Sequence, residues 1–305
     1  MSGRASDEFE AIRFPNPAFL ISVLVLSLTG TVVFRRPAAA VRNSRDTAPL
    51  AYLGFDTNTY PGDAALPRLK RTFTFSGYWL NSPPGEKQNT WAGKRETILK
   101  NGFGFLVLFD GRTERQLEPP ANPAALGEGD AKSAVERARR EGFAANTVIF
   151  LDQEEGGRMT AAQMAYISNW IQRVNAANFH AGIYCSGMPA KEAKGESVIT
   201  ADDIRQHLGS TPVSFFVYND ACPPSPGCVY RTNPPPPSAS GVAYADVWQF
   251  AQSPRRRNFT RVCSATYNAD GNCYLPPGAG PGSILLDLDS ATSADPSSAD
   301  PQRID

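Results

Sequence analysis

The sequence predicts an α/β chain closed into a (β/α)8 TIM-type barrel, and three observations carry that prediction. From Leu50 onward, short apolar runs alternate with helical patterns, as successive βα units around a parallel sheet do. The apolar runs number eight, the count that closes a barrel. Most of them are continuous rather than alternating, as strands are when helices cover the outside and side chains fill the inside.

The eight runs are Ala51 to Asp56, Phe75 to Leu80, Phe103 to Phe109, Thr147 to Asp152, His180 to Cys185, Val213 to Tyr218, Asp246 to Phe250 and Ile284 to Leu288. Between them, Lys94 to Lys100 reads as a short helix stopped by Asn101 and Gly102. Ala131 to Glu141 and Thr160 to Ala177 read as amphipathic helices, the second carrying Met164, Ile167, Ile171 and Val174 near helical spacing. Thr160 with Gln163 forms a capping-box pattern at its start, and Thr200 with Asp203 repeats the pattern ahead of Ile204 and Leu208. After the sixth strand, Asn219 to Tyr244 contains Pro234 to Pro237 and two cysteines, and reads as a Pro/Cys-rich insertion between strands six and seven. The barrel is expected over residues 50–289, with a disordered Ser/Asp/Ala/Pro tail over 290–305.

Residues 1–49 differ from the rest. The apolar run 18–34, followed by Arg35, Arg36 and Ala38 to Ala40, is expected to be a signal or anchor segment of an exported protein, the only part that meets a membrane. The surplus of Arg35, Arg36, Arg42 and Arg45 over Arg4 and Arg13 argues against export by the positive-inside rule. The cysteines argue for it. Cys222 with Cys228, and Cys263 with Cys273, lie close together in Pro- and Gly-containing stretches and are disulfide candidates, while Cys185, among apolar neighbours, reads as a buried thiol.

Composition narrows the chemistry. Thirty Lys plus Arg balance thirty Asp plus Glu, so nothing favours a nucleic-acid partner. Two histidines among 305 residues argue against zinc sites and imidazole triads. No phosphate loop or nucleophile elbow is present. Carboxylate chemistry, which needs no cofactor, is left.

The functional face of a parallel barrel lies at the C-terminal ends of its strands. Four acidic residues end apolar strands: Asp56, Asp110, Asp152 and Asp287. The period of two puts Glu154 on the face of Asp152, and Asp289 on that of Asp287. Cleaving a glycosidic bond needs one protonated and one charged carboxyl, and crowding creates the difference. Glu154 is the expected acid and Asp152 its charged partner, with Asp56 and Asp287 shaping the field and holding the sugar. Acidic residues after strands also cap helices, and Asp110 is read in that role. Tyr78, Tyr184, Trp248, Gln249 and Asp289 are candidate substrate contacts, with Trp79 a weaker one. No metal site is expected, although an acidic cluster of this kind suits calcium or magnesium better than zinc if it binds a cation at all.

The strand motifs resemble those of the family 25 glycoside hydrolases. They are Tyr52-Leu53-Gly54-Phe55-Asp56, Phe150-Leu151-Asp152-Gln153-Glu154, Ala181-Gly182-Ile183-Tyr184, Val247-Trp248-Gln249-Phe250 and Leu286-Asp287-Leu288-Asp289, in that order. More closely, the chain resembles the glycoside-hydrolase-like domain family related to those lysozyme-type enzymes and found in exported bacterial proteins. The resemblance implies Glu154 as acid, Asp152 as assistant to the substrate's acetamido group, and an N-acetylated envelope polysaccharide such as peptidoglycan as substrate. A barrel that binds envelope glycans or another envelope protein without turnover is the alternative.

Overall fold

The computed structural model describes residues 51–193, 195–219, 234–251 and 286–298. The apolar segment 18–34, the four disulfide candidates Cys222, Cys228, Cys263 and Cys273, and most of the Cys-containing part of the insertion lie outside the described residues.

Seven of the eight expected strands form, and with an eighth that differs from expectation they close a barrel. In chain order the elements are β1 (Tyr52–Asp56), α1 (Leu66–Leu69), β2 (Phe75–Trp79), α2 (Arg95–Lys100), β3 (Gly104–Asp110), α3 (Glu114–Leu117), α4 (Pro123–Glu141), β4 (Val148–Asp152), α5 (Ala161–Ala176), β5 (His180–Ser186), β6 (Pro189–Lys191), β7 (Ser197–Ile199), α6 (Thr200–Leu208), β8 (Ser214–Tyr218), β9 (Val247–Ala251) and β10 (Asp287–Ala291). Around the barrel the order is β1-β10-β9-β8-β5-β4-β3-β2, while β6 and β7 form a separate hairpin.

Seven barrel strands run parallel, as expected. The eighth does not: β10 is antiparallel to both β9 and β1, and it starts at Asp287 rather than ending there. Of the expected run Ile284 to Leu288, Asp287 and Leu288 lie in this reversed strand, Leu286 precedes it, and Ile284 and Leu285 lie outside the described residues. Asp287 still reaches the C-terminal end of the barrel, because a reversed strand begins where its neighbours finish, and the register sets it directly opposite Asp56.

Helix α4 begins at Pro123, ahead of the expected Ala131. Proline is at home in a first helical turn, and the Asn122 side chain caps the helix by accepting from the Ala125 N–H at 3.2 Å. Helix α5 starts as expected, with Thr160 as N-cap and Gln163 closing the capping box. Thr200 is different. Its hydroxyl accepts from the Gly157 N–H (2.8 Å) and donates to the Gly157 carbonyl (2.9 Å), so it ties α6 to the loop after β4 instead of capping a helix.

Of the expected disordered tail 290–305, residues 290–298 are described, and they are tied to the barrel. Asp295 Oδ1 accepts from the Phe105 N–H (2.8 Å), and Ser297 accepts from Val107 N–H through Oγ (2.7 Å) and from Val148 N–H through its carbonyl (2.8 Å). The tail thus satisfies backbone groups at the N-terminal edges of β3 and β4 that have no ladder partner there. The core is continuous from the barrel interior to the helix layer, and Cys185 lies within it as a free, buried thiol whose pKa burial drives upward.

Candidate active site

Strand parity decides which side chains reach the C-terminal end of the barrel. On β2, Phe75, Gly77 and Trp79 point inward and Ser76 and Tyr78 outward. Gly77 is required there, because a Cβ at that position would come within 2.6 Å of Asp56 Cβ. On β4, Phe150 and Asp152 point inward, and on β5 Gly182 and Tyr184 do.

These side chains line a cavity of about 430 Å3, within the range of ligand sites. Asp56, Asp152, Glu154, Asp287, Tyr184 and Gln249 all border it, together with Trp79, Leu108 and Phe216 from the strands and Thr57, Asn58 and Glu86 from the loops. The four expected catalytic residues, Asp56, Asp152, Glu154 and Asp287, thus share one cavity with two of the five expected contacts, and Asp110 is not in its lining.

The other three stand elsewhere. Tyr78 faces outward, where its hydroxyl donates to Glu141 at the end of α4 (2.6 Å) and its ring packs edge-on against Phe105, Phe143 and Trp91. Trp248 also faces outward: its Nε1 donates to the Asn219 carbonyl (3.1 Å) and its ring meets Phe250. Asp289 is fully buried one residue pair below Asp287, opposite Gly54 and Gln249, and does not line the cavity. In each case a parity or depth of one strand position, which a continuous apolar run does not reveal, decides the outcome. Trp79, the weaker candidate, is the tryptophan that lines the cavity, and its indole Nε1 is buried without a partner.

Gln249 organises one wall. It accepts the Tyr184 hydroxyl at 2.7 Å and donates through Nε2 to Asp56 at 2.8 Å and, more weakly, to Asp287 at 3.5 Å. Burial raises the Tyr184 pKa, and the charges of Asp152 and Asp56 add to this, so the hydroxyl stays a donor. The opposite wall is set by the loop after β4. Glu155 turns away from the cavity and accepts from the Glu114 N–H (2.9 Å), Gln163 Nε2 (2.7 Å) and Gln153 Nε2 (3.1 Å), which leaves Glu154 facing inward.

Crowding and burial separate the acids. Asp56 is raised to about 6, chiefly by burial, with the hydrogen bonds from Gln249 and Asp289 lowering it and the charge of Glu154 adding to the rise. Asp152 is driven well above the usual carboxylate range, first by burial and then by the charges of Glu154, Asp110 and Asp56. Glu154 is raised by burial and by Glu155. Asp289 is raised well above its ordinary value by burial, by Asp56 and Asp287, and by its hydrogen bond to Asp56. Asp152 is the deeper of the pair, and one of its oxygens is buried without a partner.

Asp110 is no helix cap. The N-terminus of α3 is served by Gln116, which accepts from Thr113 N–H (2.9 Å), and by Glu155. Asp110 instead lies beside Asp152 in the β3–β4 register, and burial, with Glu154 and Asp130, raises it to about 6. The signal for this was the length of the β3 run, which brings Asp110 level with Asp152. Among the described residues no cluster of His, Cys, Asp or Glu has the arrangement of a metal site, and no helix is long and apolar enough to cross a membrane.

None of the curated proteins matches the chain. Among solved structures, an uncharacterized B. stearothermophilus protein is similar at a TM-score of 0.50 and 18% identity, over 79% of this chain and 95% of that one. The Clostridium perfringens spore cortex lytic enzyme SleM follows at 0.49 and 13%, over 82% and 70%. A family 25 glycosyl hydrolase from Bacillus anthracis is similar at 0.44 and 10%, over 79% and 89%. The likeness to the first is one of fold, and agrees with the closed barrel. The family comparison reaches further, because residues 75–211, from β2 to just past α6 and including Asp110, Asp152, Glu154 and Tyr184, match the Rv2525c-like, glycoside hydrolase-like domain, the kind of family whose strand motifs the sequence resembles.

Proposed function

We propose that the protein is a glycoside hydrolase acting on an N-acetylated cell-envelope polysaccharide such as peptidoglycan. The observation that carries this reading is the single cavity that Asp152 and Glu154 share with Asp56 and Asp287, floored by Trp79, Tyr184 and Phe216. Aromatic faces suit the apolar side of a sugar ring. Raised carboxyls suit proton transfer near neutral pH.

Glu154, less buried than Asp152 and carried on a longer side chain, gives its proton to the glycosidic oxygen as the bond from the anomeric carbon to that oxygen breaks. Asp152, in its ionised form, accepts from the N–H of the substrate's acetamido group, whose carbonyl oxygen bonds to the anomeric carbon as the glycosidic bond breaks; water then displaces that oxygen and returns a proton to the Glu154 carboxylate. A raised pKa makes Asp152 a stronger base toward that N–H, the role the family resemblance implies. Gln249 and Tyr184 fix Asp56 at the other wall. The apolar run 18–34 would carry the protein to its substrate outside the cytoplasmic membrane, which protease accessibility in intact cells checks.

The test is release of reducing ends from purified peptidoglycan and chitin-type oligomers by the full chain, beside Glu154→Gln and Asp152→Asn. Each substitution is expected to lower the rate by about 100-fold or more. Retention of glycan with no release over a broad pH range would make this a binding barrel instead.

A further inference from the structure

A second cavity, of about 310 Å3, adjoins the first. Pro84, Asp152 and Glu154 border both, so the acid pair stands on the boundary between them. A bond cleaved by that pair has to cross the boundary, with one sugar on either side.

The two sides differ in chemistry. The first presents Trp79, Tyr184 and Phe216; the second has no aromatic residue in its lining and, beside Arg112 and the shared Asp152 and Glu154, presents Asp110, Thr113, Gln116, Gln153 and Glu155 as its polar groups. Asp110 is held firmly: its N–H donates to Asn81 Oδ1 (2.8 Å), and its carbonyl accepts from Asn81 Nδ2 (3.0 Å). Asp152, 6% exposed and with one oxygen unpartnered, lies beside it. The cation in this lining, Arg112, is taken by Asp130 in a two-point bridge (Nε 2.6 Å, terminal nitrogen 3.0 Å), and Asp130 also accepts from the Tyr166 hydroxyl (3.0 Å). Above about pH 6 Asp110 faces the second cavity as a carboxylate beside Glu155, with no uncompensated cation among the described lining residues.

We infer that the second cavity receives a non-anionic, hydroxyl- or amine-bearing sugar and turns away one that carries a carboxylate, with Asp110 as the residue that sets this selectivity. The inference rests on the glycoside reading of the adjoining site. Like charges brought together in a partly desolvated cavity repel strongly, whereas the hydroxyls or ammonium groups of a sugar are donors that an acceptor-rich wall satisfies. Asp110 also acts on Asp152, whose surroundings otherwise comprise Glu154 and Glu155 on its own loop, Asp56 on β1, Tyr184 on β5, Asp287 and Asp289 on β10, Glu86 after β2, and the compensated Arg112.

The experiment measures calorimetric binding of three chitin-type tetramers, neutral, deacetylated and carboxymethylated, to the full wild-type chain and to Asp110→Asn. The wild type is expected to bind the carboxymethylated tetramer about tenfold more weakly than the neutral one, and Asp110→Asn to close most of that gap. An equal gap in both proteins, no gap in the wild type, or no binding of any tetramer overturns the inference. A second readout follows the Asp152 carboxyl by carbon NMR, independently of ligand: it titrates at lower pH in Asp110→Asn, and an unmoved titration overturns Asp110 as its neighbour in charge. Should both results hold while no reducing ends are ever released, hydrolysis fails and the charge selectivity stands.

Discussion

Trp79 and Trp248 have similar strand neighbourhoods in sequence and opposite fates in the barrel. Trp79 points in and lines the cavity, whereas Trp248 points out and is buried against Phe250. Trp79 is 3% exposed and itself part of the core, so Trp79→Ala is expected to lower stability and, in the folded fraction, to weaken glycan binding by about 1 kcal/mol or more. Trp248→Ala should lower stability by about 3–5 kcal/mol through the cavity it leaves, with glycan affinity of the folded fraction unchanged. Chemical denaturation beside calorimetric binding separates the two, and equal effects on binding would contradict the parity assignment. Gln249 supplies a second comparison. Replacing it with leucine removes the partner of the buried Tyr184 hydroxyl and of Asp56, at an expected cost of about 2–3 kcal/mol. Because the Gln249 hydrogen bond is what holds Asp56 down, the same substitution should move the Asp56 titration above about 6. An NMR titration that stays in place would show that burial and Asp289 alone set it.

At the scale of elements, the strands were legible because most are runs buried on both faces, a pattern few other structures produce. The helix α5 was legible from its capping box, and Asp56, Asp152 and Glu154 from their positions at strand ends. The direction of β10 was not, since Leu286-Asp287-Leu288-Asp289 alternates identically read either way, and only pairing with β1 and β9 fixes it. Nor did the sequence reveal Tyr78 as a strut between β2 and α4, because side-chain parity within a continuous apolar run has no marker. The start of α4 was hidden for another reason: Gly127 and Gly129 look like loop residues. The structure explains the first, as a Cβ on Gly127 would lie 2.3 Å from the Tyr166 carbonyl oxygen where α4 crosses α5. Gly127→Ala ought to gain about 1 kcal/mol from helix propensity. It is expected instead to destabilise by a net 1–3 kcal/mol, roughly the cost of overpacking, because the obstacle is backbone that cannot rotate away. A rise in the urea midpoint would mean that α4 and α5 slide apart freely.

At the scale of the whole molecule, the site sets stability against pH. Asp56, Asp152 and Asp289 are buried together, and each is raised above its ordinary carboxylate value. Such groups bind protons in the folded chain at pH values where the unfolded chain has already released them, so stability falls as pH rises through that window. For Asp56 the window runs from about 4, the unfolded value, to about 6, and the loss is about 3 kcal/mol at 1.4 kcal/mol per unit. Asp152 and Asp289, also raised well above the ordinary carboxylate value, add to the loss in the same direction. The full chain is thus expected to melt at its highest temperature in mildly acidic buffer and at progressively lower temperatures from pH 5 to pH 8. Asp289→Asn tests the origin of that slope without touching a cavity-lining group, since the amide keeps the shape and removes the charge that Asp56 and Asp287 oppose. It is expected to flatten the decline and to raise stability at pH 8. A melting temperature that is flat or rises across pH 5 to 8, or an Asp289→Asn variant with the wild-type slope, would mean that the buried acids do not hold their protons, and with it would fall the proton supply on which Glu154 depends.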